Sequence, residues 1–200
     1  MRTDTRSWAD YRLGDLFDIK KGRRLTREDM NPGPHNYLGA ISSNNGIRDH
    51  ITVDDENQLF APNCITINYN GSVGEAFYQS EPFWASDDVN VLYAKPEWRL
   101  DLLIALFIIT VIKANKYKFA YGRKWTVEKM RESTILLPSR NGEPDWECMR
   151  KYITKLHYQR ITTSNKTFDA PLNPAEWKPF LLSRLFDAGM GNGIDAVTTS

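Results

Sequence analysis

The sequence is poor in the residues on which metal sites and disulfide frameworks depend. It has only two cysteines, Cys64 and Cys148, and three histidines. Two isolated thiols cannot form a disulfide framework, and they cannot supply the four ligands of a structural zinc site. His35, His50 and His157 show no ligand spacing. We therefore expect no metal site on this chain.

Long apolar runs and targeting signals are also missing. The longest apolar run, Leu102 to Ile112, has 11 residues and contains Thr110, whereas a membrane span needs roughly 20 residues. The N-terminal stretch MRTDTRSWAD is polar and has no signal-peptide pattern. We expect a cytoplasmic protein with no membrane partner, in which the apolar run is a buried helix.

Motifs for cofactor binding and for self-contained catalysis are absent as well. The glycines of GMGNG, at residues 189–193, leave no room for the helix that a dinucleotide-binding loop requires. Asp87 and Asp88 could form a metal pair, but no Glu-x-Lys follows them at nuclease spacing. We therefore expect a non-catalytic chain without a cofactor of its own. A nuclease with a metal site near Asp87 and Asp88 is the alternative.

Charge is balanced over the whole chain but concentrated in two clusters. The formal net charge is only +1. Residues 20–27 contain five basic residues and no acidic one, and residues 113–131 contain seven basic residues against Glu128. Two such clusters suit an anionic partner that is held on one face. The predicted phosphate contacts are Lys20, Lys21, Arg23, Arg24, Lys118, Arg123 and Lys124.

Four aromatic residues lie within the second cluster, and they allow two interpretations. They are Tyr117, Phe119, Tyr121 and Trp125. Flat rings among cations are typical of nucleic-acid surfaces, whereas a strand could instead bury the rings in the core. We expect Phe119 and Trp125 to anchor the core, and Tyr121 could serve either purpose.

Polar residues mark the predicted tips of two hairpins, ISSNNGI and NYNGS. Asparagine and serine side chains can read base edges, although Asn-Gly is also ordinary turn chemistry. Two such loops beside two basic clusters favour base reading. The predicted base-reading residues are Ser42, Ser43, Asn44, Asn45, Asn68, Asn70, Ser72 and Tyr121.

The hydrophobic pattern predicts an α/β (α+β) fold. Short apolar segments rich in β-branched and aromatic residues predict strands at FDIKKG, YLGAI, CITINY, EAFYQ, VNVLY and TILLP. A long helix is predicted around residues 98–117, and a short helix capped by Thr126 follows it. After Pro144, apolar residues at spacings of 3, 4 and 3 predict a helix with a narrow seam. This seam consists of Trp146, Met149, Ile153 and Leu156. We expect it to pair with another helix, the alternative being that it packs on its own domain.

The chain also contains an internal repeat. WADYRLGDLFDIKKG, from Trp8, aligns without a gap with WKPFLLSRLFDAGMG, from Trp177. The identical pairs are Trp8/Trp177, Leu13/Leu182, Leu16/Leu185, Phe17/Phe186, Asp18/Asp187 and Gly22/Gly191. We therefore expect a tandem architecture of which this chain holds one copy and the opening of the next.

Taken in order, five motifs resemble a target recognition domain. They are LGDLFDIKKGRRLT, YLGAISSNNGI, ITINYNGSVGEAFYQ, PFWASDDVNVLY and KFAYGRKWTVEKMRESTILLP. Such domains occur in the DNA specificity (S) subunits of type I restriction–modification systems and in related bifunctional type II enzymes. The resemblance implies a twisted, largely antiparallel sheet with helices, followed by a helical spacer and a second domain in inverted arrangement. It places a target recognition domain at residues 1–143, the spacer at 144–165, and a linker with the truncated second repeat at 166–200.

The resemblance also implies the partners. Double-stranded DNA with a bipartite target would be the ligand, and modification chains with S-adenosylmethionine would methylate adenine in it. A motor-nuclease chain, with Mg²⁺, would cut. The seam helix would either pair two copies of this chain, which would then read an interrupted palindrome, or dock on a modification chain. An RNA-binding module is a further alternative.

Overall fold

The computed structural model describes residue 5, residues 7–118 and residues 124–156. The strands in these ranges are β1 (Trp8–Arg12), β2 (Phe17–Lys21), β3 (Pro32–Leu38), β4 (Ile47–Ile51), β5 (Cys64–Asn68), β6 (Ala76–Gln79), β7 (Phe83–Ala85), β8 (Val89–Ala94), β9 (Thr134–Arg140) and β10 (Glu143–Pro144). The helices are α1 (Leu13–Leu16), α2 (Leu102–Ala114), α3 (Val127–Glu132) and α4 (Trp146–Lys155). Single 3₁₀ turns lie at Arg27–Asp29, Asn44–Gly46, Glu56–Gln58 and Lys116–Lys118.

The strands form three small sheets. The largest has the order β2-β8-β5-β6 and is antiparallel throughout. A second, β1-β9-β10, is also antiparallel. In the third, β4-β3-β7, the β3–β7 pair is parallel. The predicted class, α+β with largely antiparallel strands, is confirmed.

Helix α2 forms the centre of the main core. Asp101 caps it by accepting a hydrogen bond from the Ile104 backbone N–H at 2.9 Å, which satisfies one of the free donors of the first turn. Six of its side chains are buried, because the sequence is apolar on most of its circumference. The predicted buried helix is therefore confirmed. Within the described residues, no helix combines the length and the apolar character that crossing a membrane demands.

The first copy of the repeated element forms β1, α1 and β2. Its identical apolar positions Leu13, Leu16 and Phe17 are all buried in the main core. At Gly22 a β-carbon would lie 2.0 Å from the Ser86 carbonyl oxygen, so only glycine fits there. These observations explain Leu13, Leu16, Phe17 and Gly22 as packing positions, whereas the repeated Asp18 is exposed. The second copy, from Trp177, lies outside the described residues.

Helix α4 begins where the sequence predicts it, but it packs against its own domain. The indole ring of Trp146 stacks on that of Trp98, with centroids 4.2 Å apart and an interplanar angle of 9°. Met149 is fully buried in the main core and Ile153 packs on its edge. This packing is the alternative that the sequence left open. Met149 has no surface left for another helix, whereas pairing through the half-buried Trp146 and Ile153 stays a prediction. Leu156 remains 60% exposed, and the rest of the predicted spacer lies outside the described residues.

A charge pair adds to the docking of α4. The guanidinium group of Arg150 donates two hydrogen bonds to one carboxylate oxygen of Asp101, at 2.6 and 2.9 Å. Burial alone would raise the pKa of Asp101, but the Ile104 N–H and the Arg150 guanidinium group outweigh it and hold that pKa below its usual value. The residue that caps α2 thus also binds α4.

Candidate nucleic-acid interface

The first basic cluster lies on β2, an edge strand, and on the segment after it. Each of its predicted phosphate contacts is exposed: Lys20, Lys21, Arg23 and Arg24. Three of these cations lie over aromatic rings. Lys20 Nζ is 5.2 Å from the Tyr93 ring centroid, and Lys21 Nζ is 5.5 Å from that of Tyr69. Lysines on an edge strand also discourage pairing with other sheets, but that role alone does not require aromatic partners.

Arg23 is the most closely held of these cations. Its guanidinium carbon lies 4.8 Å from the ring centroid of Trp84 and 5.2 Å from that of Phe60. The Trp84 indole N–H also donates a hydrogen bond to the Arg23 carbonyl at 3.0 Å. Contacts with two rings restrict the rotamers of the side chain while its charge stays exposed. This arrangement suits a guanidinium group that binds an anion without further ordering.

The two basic clusters meet on one surface. Lys21 of the first cluster and Lys124 of the second line the same cavity, of about 260 Å³, together with Tyr69 and Asn90. Lys21 also lines a neighbouring cavity of about 610 Å³, together with Lys20, Arg23 and Tyr93. The prediction that the clusters share a face is therefore consistent with the structure. Arg123 and Tyr121 lie outside the described residues, so their predicted roles remain predictions.

In the predicted base-reading tip at residues 42–45, the two serines differ from the two asparagines in their contacts. Ser42 and Ser43 are exposed. The Asn44 amide donates to the Ile47 carbonyl at 2.9 Å, and the Asn45 amide donates to the Tyr78 carbonyl at 3.1 Å. Both asparagines have positive φ values, 50° and 52°, which asparagine tolerates better than most residues. Their amides are therefore engaged in holding the turn.

The second predicted tip contains one clear correction. Asn68 is only 2% exposed, and its amide donates to the Ile41 carbonyl at 2.9 Å. Its prediction as a base-reading residue is wrong, because a buried amide with an internal partner cannot reach a base edge. Asn70 is partly buried and donates to a carboxylate oxygen of Asp88 at 2.8 Å. This contact gives the Asp88 carboxylate a hydrogen-bonding partner within the domain.

No group of three or more potential metal ligands occurs in the part of the chain that the structure describes. Asp88, one of the two candidates for a nuclease metal pair, instead binds the amide of Asn70. Its backbone carbonyl also accepts a hydrogen bond from the Tyr69 N–H at 3.1 Å. These contacts give the Asp87–Asp88 turn a structural role in fixing the second tip.

A third cavity brings the two tips together. It has a volume of about 380 Å³ and is lined by Ser42, Ser72, Val73, Glu75, Lys116 and Tyr117. Ser72 also donates its backbone N–H to the Ala40 carbonyl at 3.3 Å, which ties the second tip to the first. Lys118, a predicted phosphate contact, is exposed on the adjacent 3₁₀ turn. The tips thus form one surface next to the second basic cluster.

The sequence did not reveal that Lys20, Lys21 and Arg23 lie over aromatic rings. It also did not reveal that Glu75, Lys116 and Tyr117 line one cavity with the polar tips. A lysine next to an aromatic residue in sequence, as at Lys116-Tyr117 and Lys118, is a detectable signal. The pairing of Arg23 with Trp84 is not detectable in this way, because it depends on the fold. Trp125 is 1% exposed, so its predicted core role is confirmed, whereas Phe119 lies outside the described residues.

The exposed cations and the aromatic rings beside them suit an anionic ligand such as a nucleic acid. The chain belongs to the family described as the type I restriction modification DNA specificity domain, which matches residues 5–164. The predicted resemblance is therefore confirmed, and so is the non-catalytic character that specificity domains have.

The similar proteins are specificity subunits of restriction systems. The chain is 39% identical over 165 residues to the type II restriction enzyme BgcI specificity subunit S.BcgI of Heyndrickxia coagulans. That alignment covers 82% of this chain and 48% of the relative, so the chain spans about half the length of that protein. The fold resembles the type I restriction–modification S subunit from M. genitalium, with a TM-score of 0.59, 17% identity and coverage of 78% and 40% of the two chains. It also resembles the HsdS subunit from Thermoanaerobacter tengcongensis, with a TM-score of 0.55, 16% identity and coverage of 77% and 38%.

Proposed function

We propose that this chain recognises double-stranded DNA by sequence, as the specificity subunit or half-subunit of a restriction–modification complex. The observation that supports it most is the cavity shared by Lys21 and Lys124, which joins the two basic clusters on one face. Ser42 and Ser72 of the polar tips lie at the third cavity with the exposed Tyr117 and with Lys116, which belongs to the second basic cluster. Sequence-specific binding needs two components, namely cations that bind phosphates and polar side chains that reach base edges.

The proposal assigns the chemistry to partner chains. A modification chain would bind S-adenosylmethionine and methylate adenine, and a restriction or motor chain would cut with Mg²⁺. Because the chain spans about half of its relative, we propose that this domain reads one half of a bipartite target. The cytoplasm is the proposed location.

Selection from random duplexes tests this proposal. The full chain, purified with its modification partner, is incubated with a random duplex pool, and the bound fraction is sequenced over several rounds. We expect one enriched motif and competition by unlabelled duplex that exceeds competition by single-stranded RNA. An unenriched pool, or stronger competition by RNA, would contradict the proposal.

A second arm tests the assignment of catalysis. The chain alone is incubated with duplex DNA and a labelled methyl donor, and separately with Mg²⁺. We expect neither labelled nor cleaved DNA, and methylation should begin when the modification partner is added. Cleavage by the pure chain would instead support the nuclease alternative.

A further inference from the structure

Tyr117 is an exposed aromatic residue of the second basic cluster. It is 74% exposed, in the 3₁₀ turn Lys116–Lys118. Its ring lines the cavity that also contains Ser42 and Ser72, one from each polar tip. A large aromatic side chain left in water gains little for the stability of a domain, whereas exposed aromatics are common at binding surfaces.

The 3₁₀ turn that carries Tyr117 is fixed by a buried carboxylate. Glu75 has a side chain that is only 11% exposed, and its two oxygens pair with Lys116 Nζ at 2.7 Å and Lys113 Nζ at 2.8 Å. The pairing joins the end of α2 to the start of the Tyr117 turn. The lysine side chains are 36% and 51% exposed, so the firmness of these pairs rests on the nearly buried carboxylate that they share and on their short, charge-assisted hydrogen bonds.

The same residue also fixes the second tip through its backbone. The Glu75 N–H donates to the Ser72 carbonyl at 3.2 Å, and the Glu75 carbonyl accepts from the Asn68 N–H at 2.9 Å. Glu75 therefore sets the distance between Ser72 and Tyr117, although it is itself almost buried. A residue placed in this way acts on binding only through the groups that it positions.

We propose that Tyr117 is a specificity-determining residue whose ring contacts a base of the target DNA, and that Glu75 is its positioning residue. This inference rests on the proposed function. The occupant is DNA because Lys118 Nζ lies 6.0 Å from the ring centroid and two serines line the same cavity as Tyr117. An apolar protein partner would not match such surroundings, whereas a base edge beside its phosphate would, since an apolar group can contact the methyl group of thymine in the major groove.

The experiment repeats the duplex selection with four variants of the full chain in complex with the modification partner. Tyr117→Ala removes the ring and Tyr117→Phe retains it, so the second is the matched control. Glu75→Gln removes the charge that holds Lys116, and the double variant Glu75→Gln/Tyr117→Ala tests whether the two residues act together. Circular dichroism melting of each variant reports folding separately.

We expect Tyr117→Ala to relax the selected motif at one position or two adjacent ones. Binding to the wild-type motif should weaken by roughly 5- to 150-fold, as for the loss of one specific contact with a base edge in a duplex. Tyr117→Phe should select the wild-type motif. Glu75→Gln should relax the same positions, and it should add little to the defect in the double variant, because its effect passes through Tyr117.

The outcomes separate this inference from the proposed function. If the wild-type complex enriches no motif, the proposed function fails. If the wild type enriches a motif that Tyr117→Ala also selects, with equal affinity or with a uniform loss on all duplexes, only the specificity role of Tyr117 is wrong. If Glu75→Gln lowers the melting temperature without changing the motif, or adds its full effect in the double variant, Glu75 is not the positioning residue.

Discussion

Replacing Met149 by alanine tests whether α4 is part of the domain or a seam for another helix. Met149 is fully buried and belongs to the main core. Removing a buried methionine side chain to its β-carbon costs about 2–5 kcal/mol, because the transfer term and the cavity term add. If α4 packs as the structure shows, this loss must appear in the stability of the whole domain.

The assay is urea unfolding of the isolated chain, followed by circular dichroism and by tryptophan fluorescence. The second probe is informative because Trp146 stacks directly on Trp98. We expect the Met149→Ala midpoint to fall in both signals together, since loss of a core residue destabilises the cooperative unit. In a thermal scan, each kcal/mol should lower the Tm by about 2–4 °C for a chain of this size.

Leu156→Ala is the matched control. Leu156 follows the same helix but is 60% exposed, so its replacement should change stability by no more than about 0.5 kcal/mol. The packing argument would be refuted if Met149→Ala left the urea midpoint unchanged. It would also be refuted if that variant instead lowered the molar mass in analytical ultracentrifugation, because the helix would then be paired with a second chain.

Three other predictions follow from the described contacts. Lys21→Ala and Lys124→Ala should each lower the slope of log K against log salt by about 1 on all duplexes alike. Replacing an exposed lysine of α4 is the control and should leave the slope unchanged. If Lys21→Ala or Lys124→Ala also leaves it unchanged, that lysine does not contact a phosphate. Burial alone would raise the pKa of Glu75, but hydrogen bonds from Lys113 and Lys116 outweigh burial and lower that pKa. The stability that the ionised Glu75 contributes should therefore be complete above about pH 4.3 and be lost as the pH falls through the lower pKa of the folded state. Glu75→Gln should lack this pH-dependent loss of stability in acid titrations. Burial raises the pKa of the Cys64 thiol to about 12, so a thiol reagent should label the exposed Cys148 at once and Cys64 only on unfolding; rapid labelling of both would contradict the packing around Cys64.

The hydrophobic pattern predicted the helices and strands in which most consecutive residues are buried. Strand β5 is buried at every position, and α2 is apolar on most faces, so both are visible in the sequence. Thr126 accepts a hydrogen bond from the Lys129 N–H as the predicted cap of α3. Strand β4 escaped prediction because Arg48, Asp49 and His50 are all exposed between its two isoleucines. Its extended form depends on pairing with β3, which local sequence does not reveal.

The seam of α4 shows a different limit of sequence reasoning. Spacings of 3 and 4 identify which face of a helix is apolar, and that prediction is correct for Met149 and Ile153. The spacing does not say whether the covering surface comes from the same domain or from another chain. Here Trp98 and the core around α2 supply the surface, and both are distant from α4 in sequence. Only the three-dimensional arrangement distinguishes the two alternatives.

The polar tips separate residues that build the recognition surface from residues that are available for contact. Asn45 and Asn68 have the chemistry to read bases, but their amides hold backbone carbonyls of neighbouring segments. Ser42 and Ser72 lie at the shared cavity beside Tyr117. Replacing the two asparagines should therefore disturb the shape of the tips and weaken binding to every sequence. A change of target, in contrast, requires substitutions at the serines and the tyrosine, where a new side chain can alter a base contact without releasing the loops that carry it.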